Sequence, residues 1–262
     1  MLMPIEERAM RKPPTYILKS GIAGAPVDFK WGHPRAHIGP YEGTALHDAV
    51  YRLTHCAAVT LAAGLEEWSA FRFQGMVDTG RYLAHAEALL AWPIDSRYYK
   101  GPSDLENVES PPAESAMSVL ADLACNATEN TYLKFPATFP DAQVHQAFLL
   151  RYVMPKSGKK AFDGWIAFVL KRLADVAPRP EEPIGDFKNY ESKEAYRLAQ
   201  RPYFGVPVPR EALDPDFDYK PSMREELLDR YLQSVDWAHN EFLRSPDEMK
   251  ALGFEGTPYR LG

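Results

Sequence analysis

Apolar side chains recur at helical spacing through most of the chain, and the prolines mark where that spacing is interrupted. Proline lacks an amide hydrogen and its ring clashes with the preceding turn, so helix interiors belong in proline-free stretches. The windows 41–92, 113–135, 141–154, 156–177, 184–201 and 222–245 qualify. In the first, Thr44 is placed to cap a helix whose residues Leu46, Val50, Leu53, Ala57 and Leu61 recur every three or four positions. Gly64 is expected to bend or end it, Leu65–Phe73 either extends it or runs as an aromatic-rich loop, and Asp78–Trp92 reads as another helix, closed by Pro93. After a polar loop at 95–110, Pro111-Pro112 opens a helix through about Thr128, with Met117, Leu120 and Ala124 on one side. Asp141 caps a helix bearing Val144, Phe148, Leu149 and Tyr152. Phe162, Trp165, Ile166, Val169, Leu173 and Val176 make a stripe broad enough to place the next helix at the centre of the core.

Beyond Pro178 the pattern loosens. Residues 178–190 read as a linker, a short helix is expected at about 191–200, and 201–221 is again rich in proline. Ser222 and Glu225 have the spacing of a capping box and open a last long helix with the seam Leu228, Tyr231, Val235, Ala238 and Phe242. A second box, Ser245 with Glu248, starts a short helix ended by Gly253. Only Thr15–Leu18 and Tyr203–Val208 resemble strands. The expected fold is all-α: an irregular bundle of about seven to eight helices with long proline-rich loops. Its 262 residues read as a single helical domain: an irregular segment at 1–40, a main bundle at 41–177, and a linker with C-terminal helices at 178–262.

Composition narrows the function. At 45% hydrophobic and 25% charged residues, the chain resembles an ordinary globular protein with a self-sufficient core. The formal charge of −6 gives no general basis for binding nucleic acid. No apolar run approaches the length of a membrane span, and the N-terminus shows no secretory pattern, so a cytoplasmic protein without membrane association is expected. Cys56 and Cys125 each sit in an apolar helical stretch and read as small packing residues rather than a disulfide framework.

Motifs for chemistry fall short in specific ways. Lys156-Ser157-Gly158-Lys159-Lys160 lacks the upstream glycine of a phosphate loop, and no nucleophile elbow occurs. On one helix His47 and His55 would lie about 12 Å apart, too far to share an ion. Pro34 argues against a helix that would aim His33 and His37 at one metal, and Asp236 with His239 is only a fragment of a di-iron pattern. Asp214–Glu225 places carboxylates at positions one, three, five and twelve of a calcium loop, but Tyr219 stands where the turn needs glycine and two prolines stiffen it. No metal or cofactor is expected.

The acidic, proline-rich helical layout and the tail Gly253-Phe-Glu-Gly-Thr-Pro-Tyr-Arg-Leu-Gly262 resemble the immunity proteins that bacteria keep against secreted antibacterial toxins. The resemblance implies a binding protein that neutralises one cognate toxin by direct contact, and it assigns no site residues. On the expected last helix Asp229, Gln233, Trp237 and Glu241 align every four residues, away from the apolar seam. They form an acidic, tryptophan-bearing stripe suited to a toxin with a basic surface. Packing of Trp237 beneath the tail, against Phe254 and Tyr259, is the structural alternative. The alternative function is an enzyme whose histidine and carboxylate site is assembled from distant helices around His33, His37, His85 or His239.

Overall fold

The computed structural model describes residues 12–33, 37, 42–101, 111–129, 141–182, 185 and 187–261. Residues 1–11 and most of 34–41, parts of the segment expected to be irregular, lie outside the described residues, as do 102–110 of the polar loop. The helices in chain order are α1 (Thr15–Leu18), α2 (Ala45–Tyr51), α3 (His55–Arg72), α4 (Gly80–Ala91), α5 (Pro112–Glu129), α6 (Asp141–Val153), α7 (Lys156–Val176), α8 (Lys193–Phe204), α9 (Arg224–Ser234) and α10 (Pro246–Ala251). Among the described residues extended pairing is confined to isolated bridges, so the chain is all-α. Both strand candidates are overturned: Thr15–Leu18 is a helical turn that buries Ile17, and Tyr203 with Phe204 completes α8.

The centre of the molecule is α3. Every residue from Cys56 to Arg72 is buried, as expected for a helix without a polar face. One side of it, with Trp68 and Phe71, joins Met117 and Leu120 of α5, Leu149 and Val153 of α6, and Phe162, Trp165 and Leu173 of α7. Its other side, with Val59, Ala62 and Ala63, joins Leu89 of α4 and Tyr98, Leu232, Phe242, Met249 and Tyr259 from the C-terminal half. The expectation that α7 is central is therefore corrected. That helix buries its stripe against one side of α3 while Lys156, Lys160 and Lys171 face solvent. Gly64 neither bends nor ends α3. A Cβ there would come within 2.8 Å of Leu213 Cδ1 and 3.2 Å of Trp165 Cζ2, so the missing side chain lets the indole seat. Trp165 Nε1–H then donates to the Leu213 carbonyl at 2.9 Å.

The periodic run from Leu46 to Leu61 is two helices rather than one. Thr44 caps α2 as expected, accepting from the His47 amide at 3.2 Å. The chain then turns at Arg52–Thr54, where the Thr54 amide donates to the Ala177 carbonyl at 3.2 Å and the Arg179 amide to the Arg52 carbonyl at 2.8 Å. The segment after α7 supplies partners that a continuous helix would have supplied itself.

The last long helix is also shorter than its seam suggests. It begins after a 3-10 turn at Pro221–Met223, with Met223 at the N-cap and no side-chain cap, so the Ser222/Glu225 box does not form. It ends at Ser234, and Val235 is extended with φ −69° and ψ 127°. Residues 235–245 instead fold back over the C-terminal core: the Lys100 amide donates to the Phe242 carbonyl at 2.8 Å and the Arg244 amide to the Tyr98 carbonyl at 2.9 Å. The Ser245/Glu248 box is formed and opens α10, with reciprocal bonds of 3.2 and 2.7 Å.

Candidate functional site

Since α9 stops at Ser234, the four residues expected to form one docking stripe occupy two elements. Asp229 and Gln233 remain on α9, bonded to each other, and Asp229 Oδ1 also accepts from the Leu261 amide at 2.9 Å, which ties the tail down. Glu241 lies in the 235–245 segment and pairs with Arg81 at 3.2 Å. Trp237, in the same segment, stacks on Tyr259 at 6.0 Å yet remains 36% exposed, so it packs on the tail and faces solvent at once. It borders a surface cavity of about 270 Å³ lined also by Lys100, His239, Asn240, Glu241 and Leu243.

The histidines named as enzyme candidates do not gather around one cleft. His33 is exposed, and His37 stacks between Trp31 at 5.6 Å and Tyr152 at 4.1 Å. His239 is exposed and paired with Asp236 at 2.9 Å. His85 is wholly buried. His47 and His55 sit on separate helices; the latter lies edge-on to Trp92 and Phe204, and burial, aided by the Arg179 charge, pushes its pKa down to about 4. No group of three or more His, Cys, Asp or Glu among the described residues is arranged to hold a metal. Over Asp214–Glu225 the carboxylates diverge: Asp216 reaches Lys19 at 2.7 Å, Asp218 reaches Lys220 at 3.3 Å, and Tyr219 is buried.

The most chemically organised group is buried beneath the 235–245 segment. Glu66 comes from α3, His85 from α4, Tyr99 from the chain after the 3-10 turn at Ser96–Tyr98, and Cys125 from α5. The Glu66 carboxylate oxygens lie 2.9 and 2.7 Å from His85 Nδ1. The Tyr99 hydroxyl is 2.7 Å and Cys125 Sγ 3.5 Å from His85 Nε2. The Glu66 and His85 side chains are both 0% exposed, and the Phe242 ring covers the imidazole edge-on at 5.0 Å. Burial raises the Glu66 pKa against the opposing pull of His85, and burial also raises that of Tyr99, which stays a neutral phenol. With the carboxylate on Nδ1, that nitrogen carries the ring proton and the Nε2 lone pair faces Tyr99 and Cys125.

The neighbouring carboxylate points elsewhere: Glu67 pairs with Arg210 at 2.8 Å. Arg72, at the end of the same helix, donates to the carbonyls of Val153, Ala25 and Pro26 and fastens the N-terminal segment to the bundle. Of the buried group, sequence reasoning singled out His85 and treated Cys125 as packing. The available signal was Glu66-Glu67 inside a helix apolar on all sides, since charge in such a helix needs buried partners. Comparison with protein-family models, with curated proteins and with solved structures gives no match.

Proposed function

We propose that this chain is a binding protein that neutralises a cognate antibacterial toxin by direct contact, docking a basic surface of the toxin on the face around Trp237. The observation that carries the reading is the Trp237 ring, stacked on Tyr259 and 36% exposed beside a surface cavity. Tryptophan that is pre-positioned yet accessible loses little conformational freedom on burial and is the residue type most often found at interface hot spots. Asp236 and Glu241 flank it, and the net charge of −6 favours encounter with a basic partner. Asp229 belongs to this face indirectly, by holding the tail on which Tyr259 presents the indole.

The test is co-purification of the tagged chain from its native host with mass spectrometry of the retained proteins, repeated with Trp237→Ala and Glu241→Lys. The expected result is a basic protein held by the unaltered chain, lost from both variants, and toxic to a bacterium unless this chain is produced alongside it. Retention of the same partner by folded Trp237→Ala would remove the docking face. A captured protein without toxicity would overturn the neutralising role.

A further inference from the structure

We propose that Cys125, His85 and Glu66 form a gated acyl-transfer site in which Cys125 is the nucleophile, His85 its base and Glu66 the residue that orients the base. Nucleophilic thiol catalysis needs a base within reach of the sulfur and a third group holding that base in the right tautomer. Both relations are present: Sγ is 3.5 Å from Nε2, and the carboxylate is 2.7 Å from Nδ1. The components come from three different helices, with no single local motif behind them.

The resting site is closed in two ways. Nε2 has one lone pair, and the Tyr99 hydroxyl at 2.7 Å holds it more closely than the thiol does. Access is blocked by the chain segments that carry Tyr99 and Phe242. The segments around Tyr99 and Leu243 pair as an isolated antiparallel bridge. Tyr99 and Phe242 face inward onto His85, whereas their chain neighbours Lys100 and Leu243 line the outer cavity of about 270 Å³. Displacing the Phe242 ring uncovers the His85 edge on the side of that cavity, which is the opening the proposal requires. A space of that size, with Trp237 and Leu243 beside Lys100, His239 and Glu241, has room for a small acyl ester or thioester.

In the step proposed, the Cys125 sulfur bonds to the acyl carbon while its proton passes to His85 Nε2. The ester or thioester bond breaks, the departing oxygen or sulfur takes that proton, and the acyl group remains on Cys125 as a thioester. Water, deprotonated by the same imidazole, then releases the carboxylic acid and restores the thiol.

The probe is p-nitrophenyl acetate, with nitrophenolate release followed by absorbance and the acetyl group located by peptide mass spectrometry. Phe242→Ala is expected to acetylate Cys125 about tenfold faster than the unaltered chain. Phe242→Leu, which removes the covering ring but keeps an apolar side chain in its place, serves as a second activating variant should Phe242→Ala fail to fold. Adding Cys125→Ala to either is expected to abolish the adduct, and adding His85→Gln to slow it by about 100-fold or more. Adding Glu66→Gln is expected to slow acetylation about tenfold when His85 is present and not at all in the His85→Gln background, whereas a merely structural role would slow both. Acetylation of both folded activating variants at the unaltered rate, or equal labelling of Cys56, would overturn the proposal. Cys125→Ala is expected to retain the partner captured through Trp237, so this proposal and the neutralising role fail separately.

Discussion

Protonation of His55 offers a direct measure of what the α3 terminus contributes to stability. The ring is packed edge-on against Trp92 at 5.2 Å and Phe204 at 5.7 Å, and its enclosed Nε2 has no hydrogen-bond partner. A charge placed there loses hydration and faces Arg179, so the native pKa falls from 6.5 to about 4. The folded value lies below the unfolded one, so the contribution is fully present above pH 6.5 and is lost as pH falls toward 4. A displacement of that size corresponds to about 3 kcal/mol, an upper bound because the residue as a whole is only partly buried. Urea unfolding between pH 7.5 and 4, on the unaltered chain and on His55→Phe, isolates this group from every other titration in the molecule. The unaltered protein is expected to lose up to about 3 kcal/mol more than the variant across that range, with the His55 imidazole resonances titrating near pH 4. Parallel stability curves for the two proteins, or a ring titrating at its ordinary value, would refute the reasoning.

Other positions give sharper structural tests. Gly205 has φ +72° and ψ −160°, a region open essentially to glycine, and a Cβ there would meet Thr54 Oγ1 at 2.4 Å; Gly205→Ala is expected to cost on the order of 4 kcal/mol in chemical denaturation. Trp165 is 3% exposed and bonded to the Leu213 carbonyl, so Trp165→Ala is expected to cost about 3–5 kcal/mol, and an unchanged melting temperature would contradict its place against α3. Titration calorimetry in metal-free buffer is expected to show no micromolar calcium affinity, since Asp216 and Asp218 point to Lys19 and Lys220 instead of a common centre; tight binding abolished by Asp216→Ala would show that the loop rearranges.

Where local chemistry decides the structure, the amino-acid order alone was sufficient. The proline gaps bound α6 and α7 because a missing amide and a ring clash act within one turn, and Ser245 with Glu248 caps α10 within four residues. Ser222 with Glu225 has the same spacing, but Ser222 lies in a 3-10 turn and no box forms. The all-α class follows from the same local rules. What tertiary structure decided were the places where distant groups outbid a local preference. Leu46 to Leu61 keeps helical periodicity, yet the amide at Thr54 bonds to Ala177 and the helix divides. Leu228 to Phe242 keeps it too. A helix continued to Phe242 would carry that ring about 12 Å beyond Ser234, whereas folding back buries it against His85 and pairs its backbone with Lys100. That reversal dissolved the predicted stripe of Asp229, Gln233, Trp237 and Glu241 and set Trp237 on Tyr259 instead. The Glu66–His85–Cys125 arrangement spans 19 and 40 residues of separation, which no periodicity encodes. Glu66 announces only that a buried charge requires a partner; the packing of α3 against α4 and α5 determines which one.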